Sequence, residues 1–183
     1  MKCYAEQYFE ANYGVTESSC LIFQNQPDIP LNCATGKKIW MYVTGVNCTA
    51  ETAFAEMKAV QERFDKTVGN VAYHAYQSFK TGEVTPQLAH KLGVELAKRM
   101  WGDQYQVLVA THFNTGTYHN HLVINSVNMW NGKKFNCNEG AYWKLRSISD
   151  ELCKENGLSV IKNPKGKTPC TLQKRTASLL VTI

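Results

Sequence analysis

The order of periodic segments in this chain predicts an α+β fold: a largely antiparallel central sheet of about five strands, with helices packed on one face. Three observations carry that expectation. Runs rich in β-branched and aromatic residues alternate with segments whose apolar positions recur at helical spacing. Two of those runs, around Val109 and Leu122, are joined by a short polar link and so form a hairpin. The length of 183 residues, 44% of them hydrophobic, suffices for one domain with its own core.

Residues 1–38 carry few periodic apolar positions and a turn-rich stretch from Asn25 to Pro30, so they are expected to be irregular or weakly ordered. The folded domain is expected over 39–164. Ile39 to Val46 reads as the first strand. Thr49 is placed to cap a helix over Ala50 to Phe64, with Glu51 in its first turn and Ala53, Phe54, Met57, Val60 and Phe64 on its buried stripe. Asn70 to Phe79 is the second strand, with Val71, Tyr73, Ala75 and Gln77 on one face and His74, Tyr76 and Ser78 on the other. Thr85-Pro86 opens a second helix, a hydroxyl cap followed by proline at the first helical position. Leu88, Leu92, Leu96 and Met100 line its buried side, and Gly102-Asp103 follows its end.

Tyr105 to His112 and Tyr118 to Asn128 are the hairpin strands. Asn131-Gly132 is the strongest short turn signal, after which Lys133 to Cys137 is a candidate short returning strand. Tyr142 to Glu155 is a third helix stopped by Asn156-Gly157, and Leu158 to Ile161 is a candidate edge strand. Residues 165–183 turn basic, lose periodicity and end in an apolar tail. The resulting order is β-α-β-α-β-β-(β)-α, which leaves one sheet face for a ligand.

Three of the five histidines, His112, His119 and His121, fall within the stretch THFNTGTYHNHLVIN. Alternation along a strand puts His119 and His121 on one face. The hairpin brings His112 roughly opposite His119, so that three imidazoles converge. Three histidines with coordination positions left open suit a catalytic rather than a structural metal, and bare imidazole accepts Zn²⁺, Co²⁺ or Ni²⁺. Asn125 is in phase with these residues and is a candidate to steady them.

The net charge of +5 favours a polyanionic partner without demanding one. Lys133 and Lys134, near the histidines in sequence, are candidates for phosphate contacts. Seven cysteines, none in a CxxC pair, give no disulfide framework and fit a reducing cytoplasm. No apolar run reaches the length of a membrane-spanning helix, and the N-terminus has no secretory pattern.

The His-x6-His-x-His pattern followed by Asn125-Ser126-Val127 resembles the metal motif of conjugative relaxases, mobilization nucleases of the MobA/VirD2 type within the HUH endonuclease class. YVTGVNC (42–48), YHAYQSFKTGEVTP (73–86), SDELC (149–153) and GLSVI (157–161) are similar to the same family in the same order. The resemblance covers roughly residues 39–164 and implies a relaxase-like palm. It also implies metal-dependent nicking of one DNA strand at an origin of transfer, in which a tyrosine attacks the scissile phosphate and retains the 5′-phosphate. His112, His119 and His121 then match the ligands, with Mg²⁺ or Mn²⁺ the usual ion. Single-stranded DNA is the implied partner, with accessory relaxosome proteins beside it. By the same resemblance His74, Gln77, Ser78, Lys133, Lys134 and Arg146 are candidate DNA contacts, with His74 alternatively a hydrogen-bonding neighbour of the metal site. Tyr105, Trp130 and Trp143 are candidates to stack on bases.

The family's nucleophile departs from the pattern. It stands in an N-terminal tyrosine block that residues 1–38 do not show; LNCATGKK (31–38) resembles a secondary block with Cys33 in the tyrosine's place. Tyr4, Tyr8, Tyr13 and Tyr42 remain as candidates, of which Tyr42 lies in a matched block. The alternative expectation is an incomplete relaxase that binds metal and DNA without cutting.

Overall fold

In a computed structural model of the chain, the residues described are 31–32, 38–39, 41–113, 116–161 and 178–182. A short antiparallel pair, β1 (Leu31–Asn32) and β2 (Lys38–Ile39), precedes the main sheet. The sheet is built from β3 (Met41–Val46), β4 (Ala72–Ser78), β5 (Val107–His112), β6 (His119–Asn125) and β7 (Ser178–Thr182). Their order is β3-β5-β6-β4-β7. The first four strands pair antiparallel, and β7 joins the edge parallel to β4. Other expectations for 1–38 and 165–183 lie outside the described residues.

Three helices are described: α1 (Ala53–Arg63), α2 (Pro86–Trp101) and α3 (Glu139–Glu155). α2 begins as its sequence dictates, with Thr85 Oγ1 accepting from the Leu88 amide and Pro86 at the first position. α3 starts earlier than expected because Asn138 caps it, its side chain accepting from the Ala141 amide. It ends in a Schellman turn. Gly157 has φ +69°, and the amides of Leu158 and Gly157 reach back to the carbonyls of Cys153 and Lys154. α1 starts later, after a turn at 50–52. Glu56 carboxylate there accepts from both the Thr49 amide and the Thr52 hydroxyl, so Thr49 belongs to the turn rather than the cap.

The long helices α2 and α3 cover one sheet face. Leu92, Leu96, Ala97, Met100, Leu145 and Leu152 bury there against Tyr73, Ala75, Val107, Val109, Leu122 and Ile124. α1 is different. Ala53 and Met57 pack on Val43, Leu108, Ala110 and Val123, which belong to the opposite face. Among the described helices, α1 alone packs on this second face, over the part formed by Val43, Leu108, Ala110 and Val123.

Two short expected strands do not form. Asn131-Gly132 is not the two-residue hairpin turn, since only Gly132 has positive φ. Asn128 side-chain oxygen instead accepts from the amides of Trp130 and Asn131, leaving a single bridge between Val127 and Lys134. Gly132 also has Phe64, the residue that ends α1, so close that an added Cβ would stand 2.5 Å from the ring. Residues 158–161 are drawn off the sheet edge. Glu83 accepts from the Ser159 amide and hydroxyl at 3.1 and 2.6 Å, and Arg146 donates to the Ile161 carbonyl at 2.7 Å. The apolar tail takes that edge instead, as β7.

A buried polar chain crosses the helix face. Thr44 Oγ1 lies 2.7 Å from His90 Nε2, His90 Nδ1 lies 2.7 Å from Thr111 Oγ1, and Thr111 donates to Asn120 Oδ1. Asn120 Nδ2 donates to Gln77 Oε1 and to the Ala89 carbonyl, each at 2.8 Å, and Gln77 donates to Ser149 Oγ at 2.8 Å. Because Thr111 donates to Asn120, it accepts from His90 Nδ1–H, and Nε2 of the neutral ring then accepts a hydrogen bond from the Thr44 hydroxyl.

Burial pushes the His90 imidazole down to about 4 from its ordinary 6.5. The unfolded chain therefore binds this proton more readily than the folded one, and stability falls as pH drops from about 6.5 towards 4. His90→Gln removes that titration. Relative to this variant, the parent is expected to lose about 2 kcal/mol across the window, read from urea midpoints at pH 7 and pH 4.5. Parallel pH dependence of the two proteins would refute it.

Candidate metal centre

The hairpin register settles which side chains meet. His112 on β5 stands directly opposite His119 on β6, and His121 stands opposite Ala110, two residues back along β5. Period-2 alternation then points all three rings to the face on which α1 packs. Their ring centroids are 4.8–5.1 Å apart. One nitrogen from each lies within 4.8 Å of the others. Imidazole nitrogens sit about 2.0–2.1 Å from a bound ion, so modest side-chain rotation brings the three into its shell.

Hydrogen bonds at Nδ1 of His119 and of His121 leave Nε2 of those two rings to act as ligands. His119 Nδ1 is 3.1 Å from the Thr117 carbonyl oxygen, which can only accept, so Nδ1 carries the proton and Nε2 the lone pair. His121 Nδ1 is engaged by His74 Nε2 at 2.9 Å. Burial, followed by neighbouring His119, holds His112 down to about 4. Burial, then His112, His74 and His119, hold His121 down to about 2. Both rings are therefore neutral at pH 7, the state in which imidazole binds a cation. No carboxylate contributes to either shift.

Two residues not singled out as site members complete this patch. Tyr76, opposite His121 in the β4–β6 register, has its ring 5.1 Å from both His119 and His121. Thr117 supplies the carbonyl that orients His119. Alternation had put Tyr76 beside His74; joining them to the histidine face required the β4–β6 pairing.

The other expected site residues are placed elsewhere. Tyr42 pairs with Thr111 and so faces the helices, 93% buried and packed on His90 and Phe113, with the sheet between it and the histidines. Gln77 is fully buried in the polar chain, on the helix side of the sheet. Ser78 is buried opposite His119. Asn125 is in phase with the histidines but steadies α1: it accepts from Gln61 and donates to the Met57 carbonyl and Gln106. Arg146 is buried, held by the Ile161 carbonyl and Asp150, which accounts for it as a structural cation. Lys133 and Lys134 lie past the opposite end of β6, where Lys134 binds the carbonyls of Val68 and Asn70. Trp130 and Trp143 are exposed, and Tyr105 packs edge-on against Phe135.

Fold and site together define a three-histidine centre on the α1 side of an antiparallel α+β palm, beyond the part of that face on which α1 packs. The chain belongs to the family described as relaxase, MobA/VirD2-like, nuclease domain, which it matches over residues 26–158. Two proteins named protein rlx from Staphylococcus aureus are 42% and 41% identical to it over 117 residues, covering 64% of this chain and 35% and 36% of theirs. The group II intron-interrupted relaxase LtrB of Lactococcus lactis subsp. cremoris is 23% identical over 146 residues, covering 72% of this chain and 26% of that protein. The chain thus spans about a third of the length of the rlx proteins it matches. No solved structure matches it significantly. No described helix is long and apolar enough to cross a membrane.

Proposed function

We propose that this domain nicks one strand of DNA at an origin of transfer by metal-dependent transesterification, mobilizing a plasmid or conjugative element. The observation that carries the reading is the convergence of His112, His119 and His121, in a chain of the relaxase family. A divalent ion held there would polarise a non-bridging phosphate oxygen and offset the charge that develops at phosphorus. Imidazole binds a cation in its neutral form, so an ion held by three histidines would keep its full charge to act on an anionic phosphodiester. Three nitrogen donors favour Mn²⁺ over Mg²⁺, with Co²⁺, Ni²⁺ and Zn²⁺ also accepted.

A tyrosine Oη attacks phosphorus, the P–O3′ bond breaks, and the 3′-oxygen leaves as a hydroxyl with the proton the phenol loses. The 5′-phosphate stays on the tyrosine, and reversal rejoins the strand. One phosphodiester replaces another, so the nucleophile needs placement more than activation. Tyr42 is screened from the site by the sheet, whereas Tyr76 shares the histidine face. Tyr4, Tyr8 and Tyr13 lie outside the described residues. Single-stranded DNA is the substrate, bound across the histidine end of that face, with accessory relaxosome proteins as partners and the cytoplasm as the site of action.

The test uses single-stranded oligonucleotides, labelled at the 3′ end and tiled across the DNA flanking this reading frame, incubated with the protein and Mn²⁺. The expected product is a labelled adduct that survives a denaturing gel and disappears with EDTA; peptide mapping then identifies the tyrosine. Binding without an adduct under any of the five ions would replace this reading with the second one, an incomplete relaxase that holds metal and DNA without cutting. The placement of Tyr42 behind the sheet is the observation favouring that alternative.

A further inference from the structure

We infer that His74 is a positioning residue for the metal centre, accepting the His121 Nδ1 proton so that His121 presents Nε2 to the ion. The inference rests on the metal-centre reading above. His74 comes from β4, where it pairs across with Val123, and its Nε2 reaches diagonally to His121 Nδ1 at 2.9 Å with the rings stacked at a 21° angle.

Two imidazole nitrogens can share only one proton in a neutral pair. A ligand histidine that coordinates through Nε2 must carry its proton on Nδ1, so His121 donates and His74 accepts. His74 then holds its own proton on Nδ1. The same logic governs His119, where the Thr117 carbonyl is the acceptor. Outer partners of this kind fix ring orientation and raise ligand basicity, and their loss typically weakens metal binding 10–100-fold.

The acceptor here is an imidazole rather than a carboxylate. It fixes the tautomer without adding negative charge, and so leaves the ion's full charge to act on phosphate. His74 is not a fourth ligand in this arrangement, because the nitrogen that faces the site is already committed to His121.

Co²⁺ titration of the parent, His74→Ala and His74→Gln tests the assignment, with visible absorption as the spectroscopic readout. His74→Ala is expected to bind Co²⁺ 10–100-fold more weakly, with a shifted visible band. Glutamine, whose amide oxygen can accept the same proton, is expected to recover part of the loss. In the metal-free protein, the His121 Nδ1 proton should give a slowly exchanging, downfield NMR signal that His74→Ala removes. Unchanged affinity and spectrum in His74→Ala would overturn the inference, as would a metal-induced ¹⁵N shift at His74 Nε2 like that of the three ligands. If the parent binds no metal, the centre itself fails; the NMR signal then still decides whether the pair exists.

Discussion

Replacing His119 and His121 together with alanine is expected to reduce divalent-metal affinity at least 100-fold and to abolish covalent capture of DNA, while the fold survives. Two of three donors disappear, and a single remaining imidazole cannot hold an ion against water. The fold should persist because neither ring carries the core. Both are half-buried on the face away from α2 and α3, and His121 is held far below its ordinary pKa by its surroundings. Metal content after desalting and the thermal midpoint of the metal-free protein are the two measurements. A variant that retains one equivalent of ion, or that loses metal only because it unfolds, would defeat the expectation. Non-specific, salt-dependent binding to single-stranded DNA should remain, since phosphate neutralisation by surface lysines does not depend on the ion.

Gly93→Ala is expected to destabilise the domain by about 2–4 kcal/mol, although helix propensity alone predicts a gain of about 1 kcal/mol from the same change. The reversal comes from what lies across the α2–sheet interface. A Cβ at Gly93 would stand 2.4 Å from Asn120 Nδ2 and 2.7 Å from its Cγ, with Val109 Cγ1 at 3.1 Å. Asn120 cannot retreat: it is fully buried, donates to Gln77 and to the Ala89 carbonyl, and accepts from Thr111. Moving it strands several polar groups in an apolar interior. Because Asn120 lies between His119 and His121 on β6, the disturbance should also weaken metal binding. Urea unfolding of Gly93→Ala beside Gly140→Ala gives the contrast. At Gly140 the nearest atom to an added Cβ is Asn138 Oδ1 at 3.4 Å, so that change should stay within about 1 kcal/mol. Equal midpoints for the two variants would mean that the polar chain tolerates displacement.

The centre's three principal residues were legible without coordinates because everything that joins them is local. His119 and His121 share a face by strand alternation alone, and a short hairpin link allows little choice in where His112 falls. The helix starts at Thr85 and the stop at Gly157 were equally local, since a cap needs only its own turn. Thr49 shows the limit even there. A glutamate four residues into α1 ties both Thr49 and Thr52, and the threonine that ends the turn begins the helix.

Pairings between distant segments account for the rest. Alternation grouped His74 with Tyr76, but only the β4–β6 register, spanning more than forty residues, brought them to the histidines. Tyr42 and Gln77 looked eligible because a polar or aromatic residue on a strand reads the same on either face; the β3–β5 and β4–β6 registers turned both towards the helices. Arg146 stood as a candidate DNA contact on its own helix, but the chain beyond α3 folds back and offers it the Ile161 carbonyl. From sequence alone came the types of the four main strands and three helices, the hairpin and the three convergent imidazoles, all products of steric and hydrogen-bonding preferences among near neighbours. Which face each remaining side chain occupies, which segment closes the sheet edge and which imidazole supports His121 were decided by tertiary structure, because those contacts depend on strand registers that local patterns do not encode.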